Sequence, residues 1–392
     1  MNSKGLGSII LFFVISIFVN PALADIGVTD TEIKVGSHGA LTGRAAVVGQ
    51  PMMEAIQIVF DEINDRGGIH GRKLKLIAED DNFMPSRAKE MVKKLIHKDK
   101  VFCIQSPLGT AGVTASLPDI ESAKVPVLFF QGAGDRLQMP ARRYVFGYTT
   151  PFKYAMAIQV DWAVKKLGKK RLAHIHMYGP GGDDCVNGTA NRLKFHGIEP
   201  IINEKVKSGK IEYSGLVARM KDKDVDCVVI TTTAQHTIPM LKEIERQGWK
   251  PTIIIAAGAS VPSLLNKMAG SAAEGAYLTM VTLPMTYDDP FMNRYRAVVQ
   301  KYGKGKKTNL YQLYAYGATR LFETALIQTG RDLTREKLID TLETWKDYDT
   351  GWIGKISYSP TDHIGQEGYV IGRMKGGKAE ILEPRFYPEP MP

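Results

Sequence analysis

Val101-Phe-Cys-Ile-Gln105, Ser106-Pro-Leu-Gly-Thr-Ala-Gly112, Val113 to Ser122, Val125-Pro-Val-Leu-Phe-Phe130 and Gln131-Gly-Ala-Gly-Asp135 follow in close succession. The first is an apolar run too short for an independent helix and is followed at once by Pro107, so it reads as a strand. The second is a loop of small residues, and Val113 to Ser122 carries apolar residues at helical spacing. A second strand and a second bare loop complete a β-loop-α-β-loop unit. Parallel strands joined through a helix cross over right-handedly, which places both loops at the carboxyl edge of the sheet. Open α/β sheets bind ligands at that edge. Gly, Ala and Thr leave backbone N–H groups uncovered, and a helix starting near Thr110 adds its partial positive charge. The stretch reads as a cradle for a small molecule carrying a carboxylate. The alternative is two tight turns with no ligand.

Outward from this unit the pattern repeats. Ile33 to Gly39 is a strand running into the small-residue loop Ala40-Leu-Thr-Gly-Arg44, and Gly49 to Asn64 is a helix stopped at Arg66-Gly-Gly68. Gly71 to Ala78 alternates as a strand, and Pro85 to His97 is the next helix. The pattern restarts near Tyr148-Thr-Thr-Pro151. Strands are expected at Arg171–Met177, Ile198–Val206, Asp226–Thr231 and Thr252–Ala257, with helices at Phe152–Leu167, Val186–His196, Tyr213–Lys221 and Thr237–Gln247. Glu274–Leu283 is another crossing, followed by three helices, late strands at Trp352–Tyr358 and Glu367–Met374, and a Pro-rich tail. Alternating β and α elements predict parallel, helix-covered sheets. Two such sheets facing one another across their carboxyl edges make a cleft. The 392-residue chain is also too long for one hydrophobic core.

Met1–Gly5 with one Lys, the apolar run Leu6–Val19 and the small-x-small end at Ala24 predict an export signal cleaved before Asp25. Its apolar run is shorter than a bilayer span wants, so an uncleaved anchor is the weaker reading. The formal charge of +10 is spread over short groups without interleaved aromatics, which argues against a nucleic-acid track. Three cysteines, Cys103, Cys185 and Cys227, cannot all pair within one chain, and no disulfide framework is expected.

Several phrases carry a family resemblance. They are Ile33-Lys-Val-Gly36 with Leu41-Thr-Gly43, Phe60-Asp-Glu-Ile-Asn64 running to Gly67-Gly-Ile-His-Gly71, Val125-Pro-Val127, Gln131-Gly-Ala-Gly134 and Ala269-Gly-Ser-Ala-Ala-Glu-Gly275. With them the expected mature chain resembles, end to end, the periplasmic binding proteins of branched-chain amino acid ABC transporters. The resemblance implies a type I periplasmic binding fold: two doubly wound parallel-sheet lobes joined by a three-crossing hinge. The lobes are expected at residues 25–149 plus 283–360 and 150–282 plus 361–392, after a signal at 1–24. It also implies a periplasmic monomer without a cofactor. Such a protein captures a small-molecule ligand by hinge closure and hands it to a membrane permease, with no chemistry and no nucleic-acid partner.

Family ligand contacts carry over to particular positions. Thr110, Ala111 and the loop Gln131, Gly132, Ala133 and Gly134 fall where the family binds the ligand's carboxylate. Tyrosines that often line the cleft fall at about Val48, Cys185 and Thr233 here. A hydroxyl residue usually stands near Gly134, and an acidic residue near Ala257 holds the ammonium of an amino acid. Each departure removes polar grip on an α-amino acid, so the expected ligand is an aromatic or aliphatic carboxylate. Phe83, Tyr148, Phe152 and Tyr178 sit in loops or hinges where they could stack on a ring or simply pack, and His176 stands near the cleft edge.

Competing sites read more weakly. His174 and His176 share one strand face and, with Asp183, Asp184 and Cys185, could imitate a metal site. Core histidines and a solvated acidic turn are the preferred explanation, with a secreted metal-dependent enzyme as the rival class. There is no Gly-x-Ser-x-Gly elbow and no phosphate-binding Gly-Lys-Ser/Thr. A binding protein that feeds a sensor is a further alternative.

Overall fold

The computed structural model describes residues 25–207 and 212–389, so the expected export signal lies outside the described residues. Five parallel strands form the first sheet: β1 (Glu32–Gly39), β2 (Lys73–Asp80), β3 (Cys103–Gln105), β4 (Val127–Leu128) and β5 (Val145–Phe146), in the order β2-β1-β3-β4-β5. Helices α1 (Ala46–Asp65), α2 (Pro85–Lys93), α3 (Thr110–Ala123) and the short α4 (Asp135–Gln138) connect them. Helix α1 buries Met52, Ala55, Ile56, Val59, Phe60 and Ile63, the apolar face read from the sequence. It ends because Gly67 and Gly68 take positive φ and Gly68 N–H returns to the Ile63 carbonyl at 2.9 Å. A Cβ on Gly68 would meet the Arg72 carbonyl at 2.1 Å, so no other residue fits there.

The second sheet repeats this winding. Strands β6 (Leu172–Met177), β7 (Ile202–Val206), β8 (Cys227–Thr231), β9 (Thr252–Ile255) and β10 (Tyr277–Met280) are parallel neighbours in the order β7-β6-β8-β9-β10. Helices α5 (Phe152–Asp161), α6 (Pro180–Phe195), α7 (Ser214–Asp222), α8 (Ala234–Arg246) and α9 (Pro262–Ala269) alternate with them. After β10 the chain returns to the first half, where α10 (Pro290–Tyr302) and α11 (Leu310–Thr329) pack on α1, and α12 (Arg335–Glu343) follows. A small antiparallel sheet of β11 (Tyr348–Asp349), β12 (Lys355–Ser359) and β13 (Asp362–Gly365) precedes β14 (Tyr369–Lys375) and β15 (Lys378–Phe386), which extend the second sheet antiparallel.

Several expectations need correction. The helix expected over Phe152–Leu167 gives way to a π-helical turn at Trp162–Lys166. The helix expected from Val186 already begins at Pro180, so Asp183, Asp184 and Cys185 lie on it and not in a turn. The second helix stops at Lys93, and the remainder to Asp99 is a π-helical turn ending in Lys100 with φ 53°. The supposed Pro-rich tail contains the nine-residue strand β15. An edge strand tolerates Pro384 because one side of its backbone needs no ladder partner.

The chain passes between the sheets at Gly147–Pro151, after β10, and at Gln366–Gly368. These passages are stitched together. Gln366 Nε2 donates to the carbonyls of Ile353 (3.0 Å) and Gly368 (2.7 Å), and the Arg385 guanidinium donates to Val281 (3.1 Å) and Gly368 (3.2 Å). Burial pushes the Arg385 guanidinium down to about 10. Trp352 stacks between Tyr148 and Phe291, so Tyr148 is hinge packing, not an exposed ring platform.

Candidate ligand cleft

In the first lobe the loops after β3 and β4 lie against each other. Gly109 N–H donates to the Gln131 carbonyl at 3.0 Å, and Gly134 N–H lies 3.3 Å from Thr110 Oγ1. A Cβ on Gly134 would fall 2.1 Å from Thr110 Cγ2, so Thr110 occupies the space a side chain at 134 would need. Gly109, with φ 98°, opens helix α3, whose first amides belong to Thr110 and Ala111. Phe83 is 55% exposed and lies over Gly109, where a Cβ would meet its Cε2 at 2.9 Å. Val48, half-buried on the first turn of α1, packs against the core.

Gln131 points inward. Its Nε2 donates to Ser106 Oγ and its Oε1 accepts from Tyr148 Oη, both at 2.5 Å, while Ser106 Oγ donates to the Phe129 carbonyl at 3.2 Å. Ser106 and Phe129 both have positive φ, an uncommon conformation for such residues that this buried network holds. Gln131 therefore positions the loop from within. Ala133 carries the geometry across the first passage, because its carbonyl accepts from Phe152 N–H at 3.0 Å.

The second lobe holds a cavity of about 330 Å³ at the carboxyl ends of β6, β8 and β9. Strand order reverses between β6 and β8, which is where a doubly wound sheet opens a crevice. Phe152, Ala155, Met156 and Gln159 line one wall at i, i+3, i+4 and i+7 of α5. The loops contribute Met177 to Gly179, Thr231 to Thr233 and Ala256 to Gly258, with Gly181, Gly182 and Cys185 from α6 and Tyr369 from β14. Gly182 is required, since its Cβ would lie 1.7 Å from the Met177 carbonyl. Among the described residues no Asp, Glu, Lys, Arg or His lines this cavity. Burial pushes the Cys185 thiol up to about 12, only partly offset by its bond to Thr231, so it is a neutral wall and not a nucleophile.

The structure thus places Cys185, Thr233 and Ala257 together on the cavity wall, and Thr110, Ala111 and Gly132–Gly134 together on the facing lobe. His176 is buried but does not line the cavity; its Nδ1 lies 3.2 Å from the Met177 carbonyl. His174 Nε2 is engaged by Thr231 Oγ1 at 2.8 Å, and Asp183 pairs with Lys205 at 2.9 Å. Among the described residues no group of three or more His, Cys, Asp or Glu side chains is disposed to hold a metal ion. Sequence reasoning missed Ala155, Met156, Gln159 and Tyr369. The first three are legible as the α5 face shared with Phe152, whereas Tyr369 has no local signal.

Asp135 follows Gly134 directly, and its Oδ1 accepts from Lys153 N–H at 3.1 Å at the start of α5. Burial, aided by the nearby Asp184 carboxylate, raises its carboxyl to about 6 against the opposing pull of the Lys153 amide.

Comparison with known proteins agrees with this fold. The family model described as periplasmic binding protein matches residues 32–379. A Leu/Ile/Val-binding protein of Escherichia coli strain K12 is 24% identical over 331 residues, covering 84% of this chain and 86% of its own. A fatty acid ABC transporter substrate-binding protein from Thermomonospora curvata superposes with a TM-score of 0.79 at 25% identity, covering 93% of this chain and 94% of its own. A branched chain amino acid ABC transporter from Thermus thermophilus with bound valine gives 0.79 at 19% identity, covering 93% and 97%, and so shows the fold. The chain belongs to the periplasmic binding proteins, as a type I member of the branched-chain amino acid group and an ABC-type solute-binding protein.

Proposed function

We propose that this protein binds a small carboxylate without an α-amino group, with an aromatic or aliphatic body, and delivers it to a membrane permease. The anion sits on the amides of Thr110, Ala111 and Ala133, since those of Gly132 and Gly134 already donate to the Phe130 carbonyl and to Thr110 Oγ1, and the body enters the cavity of about 330 Å³. Closure of the lobes is a population shift driven by contacts made to both at once. The observation that carries this reading is the uncharged cavity wall, which includes Ala257, the position where the family resemblance leads one to expect an acid in amino-acid-binding members. An unpaired ammonium in a closed cleft costs several kcal/mol of desolvation. Isothermal titration calorimetry is expected to give no measurable binding of leucine, isoleucine or valine, and about micromolar binding, near −8 kcal/mol, of a matching acid. Tight binding of any of the three amino acids would sink the reading.

One observation favours an amino-acid ligand instead: Asp135 and Asp184 are both close enough to influence Cys185 on the cavity wall. The same titration decides between them. If the ligand is an acid, ionised Asp135 beside Gly134 opposes it. Since the Asp135 proton is lost near pH 6, acid affinity is expected to fall roughly fivefold between pH 5 and 7.5. Asp135→Asn should flatten that dependence, and an unchanged slope in the variant would remove Asp135 from the account.

A further inference from the structure

The turn that follows β2 at the carboxyl edge of the first sheet is strained, and what it holds up is an exposed ring. Asn82 and Phe83 both take positive φ, 50° and 58°. In a bulky residue that conformation persists only where the surroundings over-determine it, and it clusters at ligand clamps. Two carboxylates hold the turn. Asp80 Oδ1 accepts from the N–H groups of Leu41 and Asn82, each at 2.9 Å, and its Oδ2 accepts from Thr42 Oγ1 at 2.6 Å. Asp81, itself buried, accepts from Phe83 N–H on Oδ1 at 2.7 Å, and its Oδ2 lies 2.7 Å from His38 Nδ1. Phe83 is nevertheless more than half exposed. Its Cδ2, Cε2 and Cζ fill the space where Gly109 would carry a side chain, directly before the open amides of Thr110 and Ala111. The facing lobe puts two further rings, Phe152 and Tyr178, on the cavity wall.

We propose that Phe83 is a specificity-determining residue, a platform for an aromatic ring attached close to the ligand's carboxylate. The inference rests on the carboxylate reading and narrows the body of the ligand from aromatic or aliphatic to aromatic. An anion on the amides of Thr110 and Ala111 stands next to Gly109, so the group bonded to that carboxylate is the part that meets Phe83. A flat ring gains offset or edge-to-face contact there beyond the area it buries, whereas a puckered ring of the same carbon number gains the area alone.

The test is calorimetry on matched pairs: benzoate with cyclohexanecarboxylate, phenylacetate with cyclohexylacetate, and 3-phenylpropionate with 3-cyclohexylpropionate, with octanoate titrated beside them. In at least one pair the aromatic acid is expected to bind the unaltered protein about 3–10-fold more tightly than its saturated partner. Phe83→Leu should erase that preference by weakening the aromatic acid while leaving the saturated one bound about as before. Binding that is equal within every pair, or tighter for the saturated acids, overturns the inference and leaves the carboxylate reading standing, and this comparison needs no variant. A preference that survives in Phe83→Leu overturns it equally, and Phe83 then serves only packing between the lobes. Octanoate binding where none of the six ring acids binds also overturns it without touching the carboxylate reading. Should none of the seven acids bind, that reading fails and takes this inference with it.

Discussion

Asp161→Ala is expected to cost about 3–5 kcal/mol of folding free energy and to lower the melting temperature by roughly 5–10 °C. Asp161 closes the inner end of α5 and is fully buried. Its Oδ1 accepts from Arg192 Nε at 2.6 Å and lies 2.7 Å from His196 Nε2, while its Oδ2 accepts from Arg192 Nη2 and from Glu389 N–H, the latter at 3.1 Å. One carboxylate thus ties α5 to α6 and to the segment that follows β15. Without it the Arg192 guanidinium, 1% exposed, stays buried with no counter-charge. Burial alone would raise the Asp161 carboxyl, but Arg192, His196 and the Glu389 amide outweigh it and hold it below its ordinary value. A carboxyl lowered by folding contributes stability that is present above its unfolded value, near pH 4, and is lost as pH falls through the folded value. Asp161→Asn, which keeps the shape, should therefore flatten the acid limb of a melting-temperature curve below about pH 4. An acid limb as steep as that of the unaltered protein would show that other carboxylates dominate.

Gly134→Val is expected to abolish ligand binding, and Gly134→Ala to weaken it by more than about tenfold with a stability loss of about 1–3 kcal/mol. The backbone at 134 is extended, with φ −67° and ψ 127°, so conformational freedom is not the reason for the glycine. Space is the reason, because an added Cβ lands 2.1 Å from Thr110 Cγ2. Thr110 is β-branched and has little rotamer freedom in a helix, so the two loops must part. Parting them separates the amides of Thr110 and Ala111 from that of Ala133. The double change Gly134→Ala with Thr110→Ser removes the clashing methyl and leaves Cβ and Oγ at 3.3 Å, tight but bearable. It is expected to regain most of the lost stability and part of the affinity in paired melting and calorimetric measurements. A double variant no better than Gly134→Ala would mean the loops are not held apart by that contact.

Much of the fold was legible because its signals are local. The apolar face of α1, its Gly67-Gly68 stop and the strands around Pro107 and Pro126 depend on residues a few positions apart. The first-lobe cradle was readable for the same reason, since two strand–loop units adjacent in sequence are adjacent in the sheet. Strand β15 was not, because a half-exposed edge strand containing Pro384 has no periodic apolar signal. The inward turn of Gln131 was also hidden, since it depends on Ser106 and Tyr148, each a different strand end away.

By itself the sequence determined the two wound sheets, the bare loops at Thr110 and Gly132–Gly134, and the absence of an acid at Ala257. Helical and strand periodicity, glycine placement and side-chain type are properties that each stretch carries alone. Tertiary structure decided that the apolar cavity is built mainly on the second lobe, and that Tyr369 closes it from nearly two hundred residues beyond Tyr178. Those outcomes depend on which distant groups meet in a dry interior, where a single missing partner outweighs any local preference.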